Sequence, residues 1–244
     1  MNVHVVTYAN KSYGMFDQLI KNDYNVNIEV LGWGTKWNGY IDKSKGVLKY
    51  IEHLPNDHIV VFVDGFDTRV IKDLSTIVQK FKSYNCKVLV SKDPTSLKFF
   101  AKINFDLCNK FIANAGMYMG YVQQLKTLLH DSINMKCKDD QRILNTLCKK
   151  YKYIKVDHKE KIFKNVGAID KDPTYIDAIF LSYPGKLTLH RQLRMIMEYS
   201  QFWYMYILMF HLILYILFRR KGIIYSFIFV SVFIFIFTDI SCII

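Results

Sequence analysis

Ile59-Val60-Val61-Phe62-Val63 runs straight into Asp64-Gly65-Phe66-Asp67, and this junction constrains the chain more than any other segment. An unbroken apolar run, mostly β-branched, reads as a strand buried on both faces, the environment of a parallel sheet covered by helices. Two carboxylates then stand three positions apart at the strand's C-terminal end, with Gly65 between them permitting a tight turn. In an open α/β sheet that end is where ligands bind. Two hard oxygen ligands suit Mg²⁺ or Mn²⁺, ions that complete their shells with water and substrate phosphates. This is the layout of an enzyme that handles a nucleoside diphosphate. The same residues also read as a turn at Asp64 and a helix cap at Asp67, and the segment alone leaves both readings open.

Strand-like and helix-like segments alternate on either side of this junction. Residues 2–7, 26–31, 59–63, 87–91, 117–121 and 153–157 read as strands, and 12–23, 43–53, 71–84, 123–130 and 139–151 as helices. In 71–84 the apolar residues Ile71, Leu74, Ile77, Val78 and Phe81 follow a 3.6-residue period. Alternation of this kind implies an α/β domain with a mostly parallel sheet.

Lys and Arg outnumber Asp and Glu by 33 to 21 over 244 residues, a formal charge of +12. The basic residues are scattered, with no Arg-rich arm and no basic run interleaved with aromatics, so nucleic acid is not an expected partner. Five cysteines, Cys86, Cys108, Cys137, Cys148 and Cys242, contain no C-x-x-C pair. The odd count points to neither a zinc ribbon nor a disulfide framework, and favours a catalytic domain made on the reducing side of a membrane. No secretory signal opens the chain. Residues 202–218 are apolar apart from His211, Arg219-Arg220-Lys221-Gly222 interrupts, and 223–237 is again nearly all apolar. The first of these stretches is about 25 Å long as a helix against a hydrocarbon core of roughly 30 Å. The expected organisation is a catalytic domain over 1–198 and a membrane-anchoring segment of one or two apolar helices over 199–244. The free cysteines and the absence of a signal place the domain on the cytosolic face.

Several shorter constellations surround this frame. Leu31-Gly32-Trp33-Gly34-Thr35-Lys36-Trp37-Asn38-Gly39 is a shaped loop whose tryptophans could cover a base or sugar, or lid the core. Lys45 lies at the head of the next helix, within reach of a phosphate. Phe111 to Gly120 contains Asn114-Ala115-Gly116, small residues where the backbone must pass close to a ligand or another strand. Asp139-Asp140-Gln141 opens a helix; one Asp suits an N-cap, and two acids facing a pocket suit sugar hydroxyls or activation of an acceptor. Late in the domain stand Ser182-Tyr183-Pro184-Gly185-Lys186 and His190, a turn that can hold phosphate and a nearby imidazole.

In this order and spacing, from about Val3 to about Lys186, the segments resemble the glycosyltransferase domain of the collagen lysyl hydroxylases and its free-standing relatives, including those of large DNA viruses. The carrying motifs are Val5-Val6-Thr7, Leu31 to Gly39, Lys45, Phe62 to Asp67, Asn114 to Gly120, and Asp139-Asp140-Gln141. The resemblance implies a GT-A-like, Rossmann-type fold and transfer of a hexose from a UDP-sugar to a protein or glycan acceptor, assisted by Mn²⁺ or Mg²⁺. It implies Asp64 and Asp67 as metal ligands, with Asp139 and Asp140 on the sugar or acceptor side. Thr7, Trp37, Lys45, Phe66, Asn114, Gly116 and Lys186 would form the donor site. Relatives place a metal-binding His where this chain has Ser182, and His190 is the nearest substitute. The alternative is a non-catalytic relative that keeps the fold as a membrane-attached binding or assembly module.

Overall fold

The computed structural model describes residues 2–94, 105–167 and 173–184, together with Met209, Leu212 and Ile213. The chain divides into compact units Met1–Leu187 and Thr188–Ile244. In the first unit a six-stranded sheet runs in the order β2-β1-β3-β6-β5-β7. Its strands are β1 (Val3–Tyr8), β2 (Ile28–Leu31), β3 (Ile59–Asp64), β5 (Val88–Lys92), β6 (Ala113–Tyr121) and β7 (Ile154–Val156). β1 is parallel to β2 and β3, and β5 to β7, whereas β6 runs antiparallel to both its neighbours. The mixed α/β architecture with a mostly parallel sheet is the one the alternation implied.

The apolar run in β3 is buried because both faces of the sheet are covered. Successive side chains point to opposite faces. Val60 and Phe62 join Val6, Val88 and Val90 beneath α2 (Ile41–Ile51), α4 (Val122–Asn134) and α5 (Asp140–Lys150). Ile59, Val61 and Val63 join Val5, Leu89 and Met119 on the other side, against Leu19 of α1 (Phe16–Ile20) and Ile77 and Phe81 of α3 (Ile77–Ser83). A second, three-stranded sheet, β4 (Thr68–Val70), β9 (Phe180–Ser182) and β8 (Phe163–Asn165), follows the acidic turn. Its order, β4-β9-β8, brings Ser182 opposite Thr68 on one side and Asn165 on the other.

The structure departs from the expected elements in several places. The helix expected over 12–23 is confined to Phe16–Ile20: Gly14 takes a positive φ of 61° before it, and the side-chain amide oxygen of Asn22 accepts the Tyr24 and Val26 amides after it. The helix expected over 71–84 starts only at Ile77, because Asp73 closes a turn by accepting the Ser75 amide. The strand expected over 117–121 begins four residues earlier, at Ala113. Cys108 and Cys148 form a disulfide across 40 residues, so the expectation of no disulfide is corrected, and Cys86 is a free thiol.

The proposed membrane segment, 199–244, lies outside the described residues except for Met209, Leu212 and Ile213, which are helical and exposed. Among the described residues no helix is long and apolar enough to cross a membrane.

Candidate functional site

Because β6 runs against its neighbours, its start meets the C-terminal ends of β1, β3 and β5 on one edge of the sheet. Asp64 ends β3 there, paired in register with Tyr8 of β1. Gly116 of β6 faces it: a Cβ at Gly116 would lie 3.7 Å from the Asp64 Cβ and 3.8 Å from its Oδ2. The missing side chain therefore leaves space over the carboxylate. Gly65 is required for a different reason, since a Cβ there would come within 2.9 Å of the Thr7 hydroxyl and 3.2 Å of the Tyr8 carbonyl oxygen.

The cation on these acids is Lys43. From the first turn of α2 its Nζ donates to Asp64 Oδ2 at 2.5 Å and lies 4.0 Å from Asp140 Oδ2. Burial works against this ammonium, but the fields of Asp64, Asp140 and Asp67 together hold its pKa above the ordinary lysine value. Asp140 is itself raised, first by burial and then by Asp64, with Lys43 opposing. Behind Lys43 and Asp140 lies a cavity of about 40 Å³, lined also by Phe62, Ala115, Tyr118 and Leu144. Asp67 is only 3% exposed and accepts from the Thr68 and Ser182 hydroxyls, the latter at 3.1 Å.

Beside the carboxylates runs a row of hydrogen-bonded amides and acids. Asn114 donates to Gln141 Oε1 at 3.1 Å, and Gln141 donates to Asp93 Oδ2 at 2.8 Å. The Asn114 Oδ1 accepts the Gly116 amide at 2.9 Å. Around the mouth, Trp37 packs on Tyr8 and Tyr40 and stays 39% exposed, while Phe66 meets Tyr13 edge-on with ring centroids 5.8 Å apart.

Several expected site residues stand elsewhere or act differently. Lys45 is exposed, and the lysine among the carboxylates is Lys43, two positions earlier. Thr7 is fully buried and spends its hydroxyl on the Val63 carbonyl at 2.7 Å, so its side chain supports the acidic turn and is not placed to touch a uridine. Asp139 caps α5 by accepting the Arg142 amide at 2.9 Å, and Asp140 is the member of the pair that faces Lys43. Lys186 and His190 lie outside the described residues. Lys43 and Asp93 belong to the site without having been singled out from the sequence, and Gln141 entered there only as part of its motif, with no role of its own. A lysine in the first turn of a helix, where the dipole disfavours it, is the signal that could have found Lys43.

Asp64, Asp67 and Asp140 set three carboxylates around the ammonium of Lys43. Among the described residues no group of three or more His, Cys, Asp or Glu side chains has metal-binding geometry, so an ion held by Asp64 and Asp67 would take most of its shell from water.

Residues 1–176 match the family model described as the PLOD GT domain. The chain is similar to the multifunctional procollagen lysine hydroxylase and glycosyltransferase of Caenorhabditis elegans, at 27% identity over 194 residues, 69% of this chain and 26% of that protein. It is also similar to the procollagen-lysine,2-oxoglutarate 5-dioxygenase 2 of Homo sapiens, at 25% identity over 189 residues, 68% of this chain and 26% of that protein. The chain thus spans about a quarter of the length of the curated relatives it matches. Among solved structures, the galactosyltransferase LgtC in complex with donor and acceptor sugar analogues matches with a TM-score of 0.45 at 15% identity, over 75% of this chain and 87% of that one.

Proposed function

The chain belongs to the PLOD GT domain family, and from that membership we propose that it is a metal-dependent glycosyltransferase with a GT-A-like fold. It moves a hexose from a UDP-sugar to a protein or glycan acceptor. The observation that supports this most is the convergence of Asp64, Asp67, Asp140 and Lys43 on one edge of the sheet. Asp64 and Asp67 would hold Mn²⁺ or Mg²⁺, which supplies positive charge against the leaving diphosphate.

The other residues have distinct parts. Lys43 adds a fixed positive charge beside the diphosphate. Phe66 and the exposed edge of Trp37 flank the nucleoside. The Asn114–Gln141–Asp93 row offers donors and acceptors to sugar hydroxyls in a fixed orientation. Asp140 stands on the acceptor side. Its upward pKa shift brings the carboxyl nearer to the working pH, as a general base requires.

The C-terminal segment, 199–244, serves as a membrane anchor in this reading, supported by the exposed apolar side chains of Met209, Leu212 and Ile213 and by the apolar runs around them. The cytosol-facing orientation rested partly on free cysteines. Cys108–Cys148 removes that support and favours an oxidising compartment, a choice that protease protection of intact vesicles decides.

A non-catalytic binding module is the second reading, favoured by Ser182: its hydroxyl donates to Asp67 at the place where the resemblance implies a metal-binding His. Incubating the full chain with a panel of UDP-sugars, with and without Mn²⁺, separates the two. Metal-dependent release of UDP supports the transferase, and UDP-sugar binding without any release supports the module.

A further inference from the structure

We propose that the cavity behind Lys43 and Asp140 binds ordered water shared by Tyr118, Lys43 and Asp140, and that Tyr118 acts through it as a positioning residue for Asp140. The inference rests on the reading of Asp140 as the acceptor-side base, and adds what holds that carboxyl in place.

Three hydroxyl-bearing residues line the cavity of about 40 Å³: Tyr118 on β6, Ser44 on α2 and Ser132 on α4. Each is only 8% exposed. Among the described residues none of the three hydroxyls has a hydrogen-bond partner. A buried hydroxyl left unbonded costs free energy, and native interiors satisfy such groups with protein or with ordered water. The cavity exceeds the roughly 10–15 Å³ that one water needs. Leu128, Leu129 and Leu147 make much of the remaining wall apolar, so the few polar groups fix where water sits.

Lys43 and Asp140 supply the charged groups of that wall. Lys43 Nζ donates to Asp64, and an ammonium has further protons to give. Asp140 Oδ2 is 4.0 Å from that nitrogen, beyond hydrogen-bond reach. Among the described residues no other side chain donates to the Asp140 carboxyl. The Tyr118 ring lies against Phe62, with centroids 5.0 Å apart and planes at 21°, so packing fixes its orientation. Burial, and then the charge of Asp140, hold the Tyr118 pKa above its ordinary value, which places the phenol within electrostatic reach of the carboxylate. A water that accepts from Lys43, donates to Asp140 and bonds the Tyr118 hydroxyl makes about three hydrogen bonds, the usual number for a buried water. It gives Asp140 a donor and ties the carboxyl to a ring that packing holds still.

The test counts long-lived waters in the full chain by oxygen-17 magnetic relaxation, without donor, and sets the count beside kcat for release of UDP from a UDP-sugar. Ser132→Leu fills the cavity from α4 and should remove about one or two waters from the count; Ser132→Val takes its place if that variant melts early. Tyr118→Phe removes a hydroxyl that bonds no protein group, so its melting temperature should stay close to native. Its kcat should fall roughly two- to tenfold, the range expected for loss of one hydrogen bond, with KM for the UDP-sugar unchanged. Equal water counts in the native and the filled chain overturn the water site. A native kcat in Tyr118→Phe overturns the positioning role. A native chain that releases no UDP from any sugar donor removes the transferase reading and the positioning role with it, while the water count, taken without donor, still decides the site.

Discussion

Asn145 grips the backbone of Ala113 with both atoms of its carboxamide. Its Oδ1 accepts the Ala113 amide at 2.9 Å, and its Nδ2 donates to the Ala113 carbonyl at 2.8 Å. Asn145 is fully buried on α5, and Ala113 is the first residue of β6. The pair joins the two elements as one strand joins another. It sets the register between Asp140 and Gln141 on the helix and Asn114 and Gly116 on the strand.

Asn145→Ala should therefore disturb the site as well as the fold. It leaves a buried amide and carbonyl without that partner, a loss of about 1–3 kcal/mol. If α5 then shifts, the Asn114–Gln141 contact is lost first. The expected outcome is a lower melting temperature together with a higher KM for the sugar donor. Asn145→Asp keeps the acceptor but sets an oxygen against the Ala113 carbonyl at a fully buried position, and should lower the melting temperature at least as far as the Ala variant.

The disulfide makes a separate prediction. Cys108 and Cys148 are both buried, and they tie the segment before β6 to the last turn of α5. Closing a loop across 40 residues stabilises by about 2–4 kcal/mol, mainly by restricting the unfolded chain. The Cys108→Ala/Cys148→Ala pair should lower stability by that order in chemical denaturation. Burial pushes the free thiol of Cys86 up to about 12, so it should label slowly in the native oxidised chain and quickly after unfolding. Native Cys108 that reacts with a thiol reagent before any reductant is added would refute the bridge.

The parts of the site legible from the sequence were those built on local pattern. The apolar run of β3 and the spacing of Asp64 and Asp67 carry their meaning within nine residues. Lys43 and Lys45 differ by two positions on one helix, about 200° around its axis, so only one can face the sheet. The one local cue is that Lys43 falls in the helix's first turn, where the dipole disfavours a cation, and Lys45 does not. Cys108 and Cys148 meet only because α5 packs beside the start of β6, a tertiary fact with no periodic trace. β8 and β9, each three residues long, had no counterpart among the expected strands. Ser182 was legible as a departure from the family pattern, yet its hydrogen bond to Asp67 required β4 and β9 to pair.

Away from the site, His4 and His58 set a lower pH limit on stability. His4 Nε2 and His58 Nδ1 are 3.0 Å apart and their rings stack, with the Tyr50 hydroxyl 3.4 Å from His4 Nδ1. Burial, and then the charge on His58, hold the His4 pKa below its ordinary value of 6.5. Protonation of His4 is thus harder in the folded than in the unfolded chain. Its contribution is present above the unfolded pKa and is lost as pH falls through it toward the lower folded value. Melting temperature should be level from neutral to mildly alkaline pH and fall below about 6.5. His58→Gln removes the charged neighbour and should make that fall shallower; an identical profile in the variant would exclude the pair as its source.

Asp64 and Asp67 should separate in a way their shared motif does not suggest. Each is proposed to hold the cation, so Asp64→Asn and Asp67→Asn should both weaken Mn²⁺-dependent UDP binding in calorimetry and abolish transfer, because each removes a charged oxygen ligand. Their structural surroundings differ. Asp64 lies at an open edge, and its partner Lys43 retains Asp140 when Asp64 is neutralised. Asp67 is almost fully buried and accepts hydroxyl protons from Thr68 and Ser182, so it fastens β4 to β9. An amide in its place puts an NH₂ group among those donors. Asp67→Asn should accordingly cost about 1–3 kcal/mol, a fall of several degrees in melting temperature for a domain of this size, while Asp64→Asn should melt close to the native chain. Full transfer activity in either variant would remove that residue from the cation site. Equal melting temperatures would show that the Asp67–Ser182 contact does not fasten the second sheet.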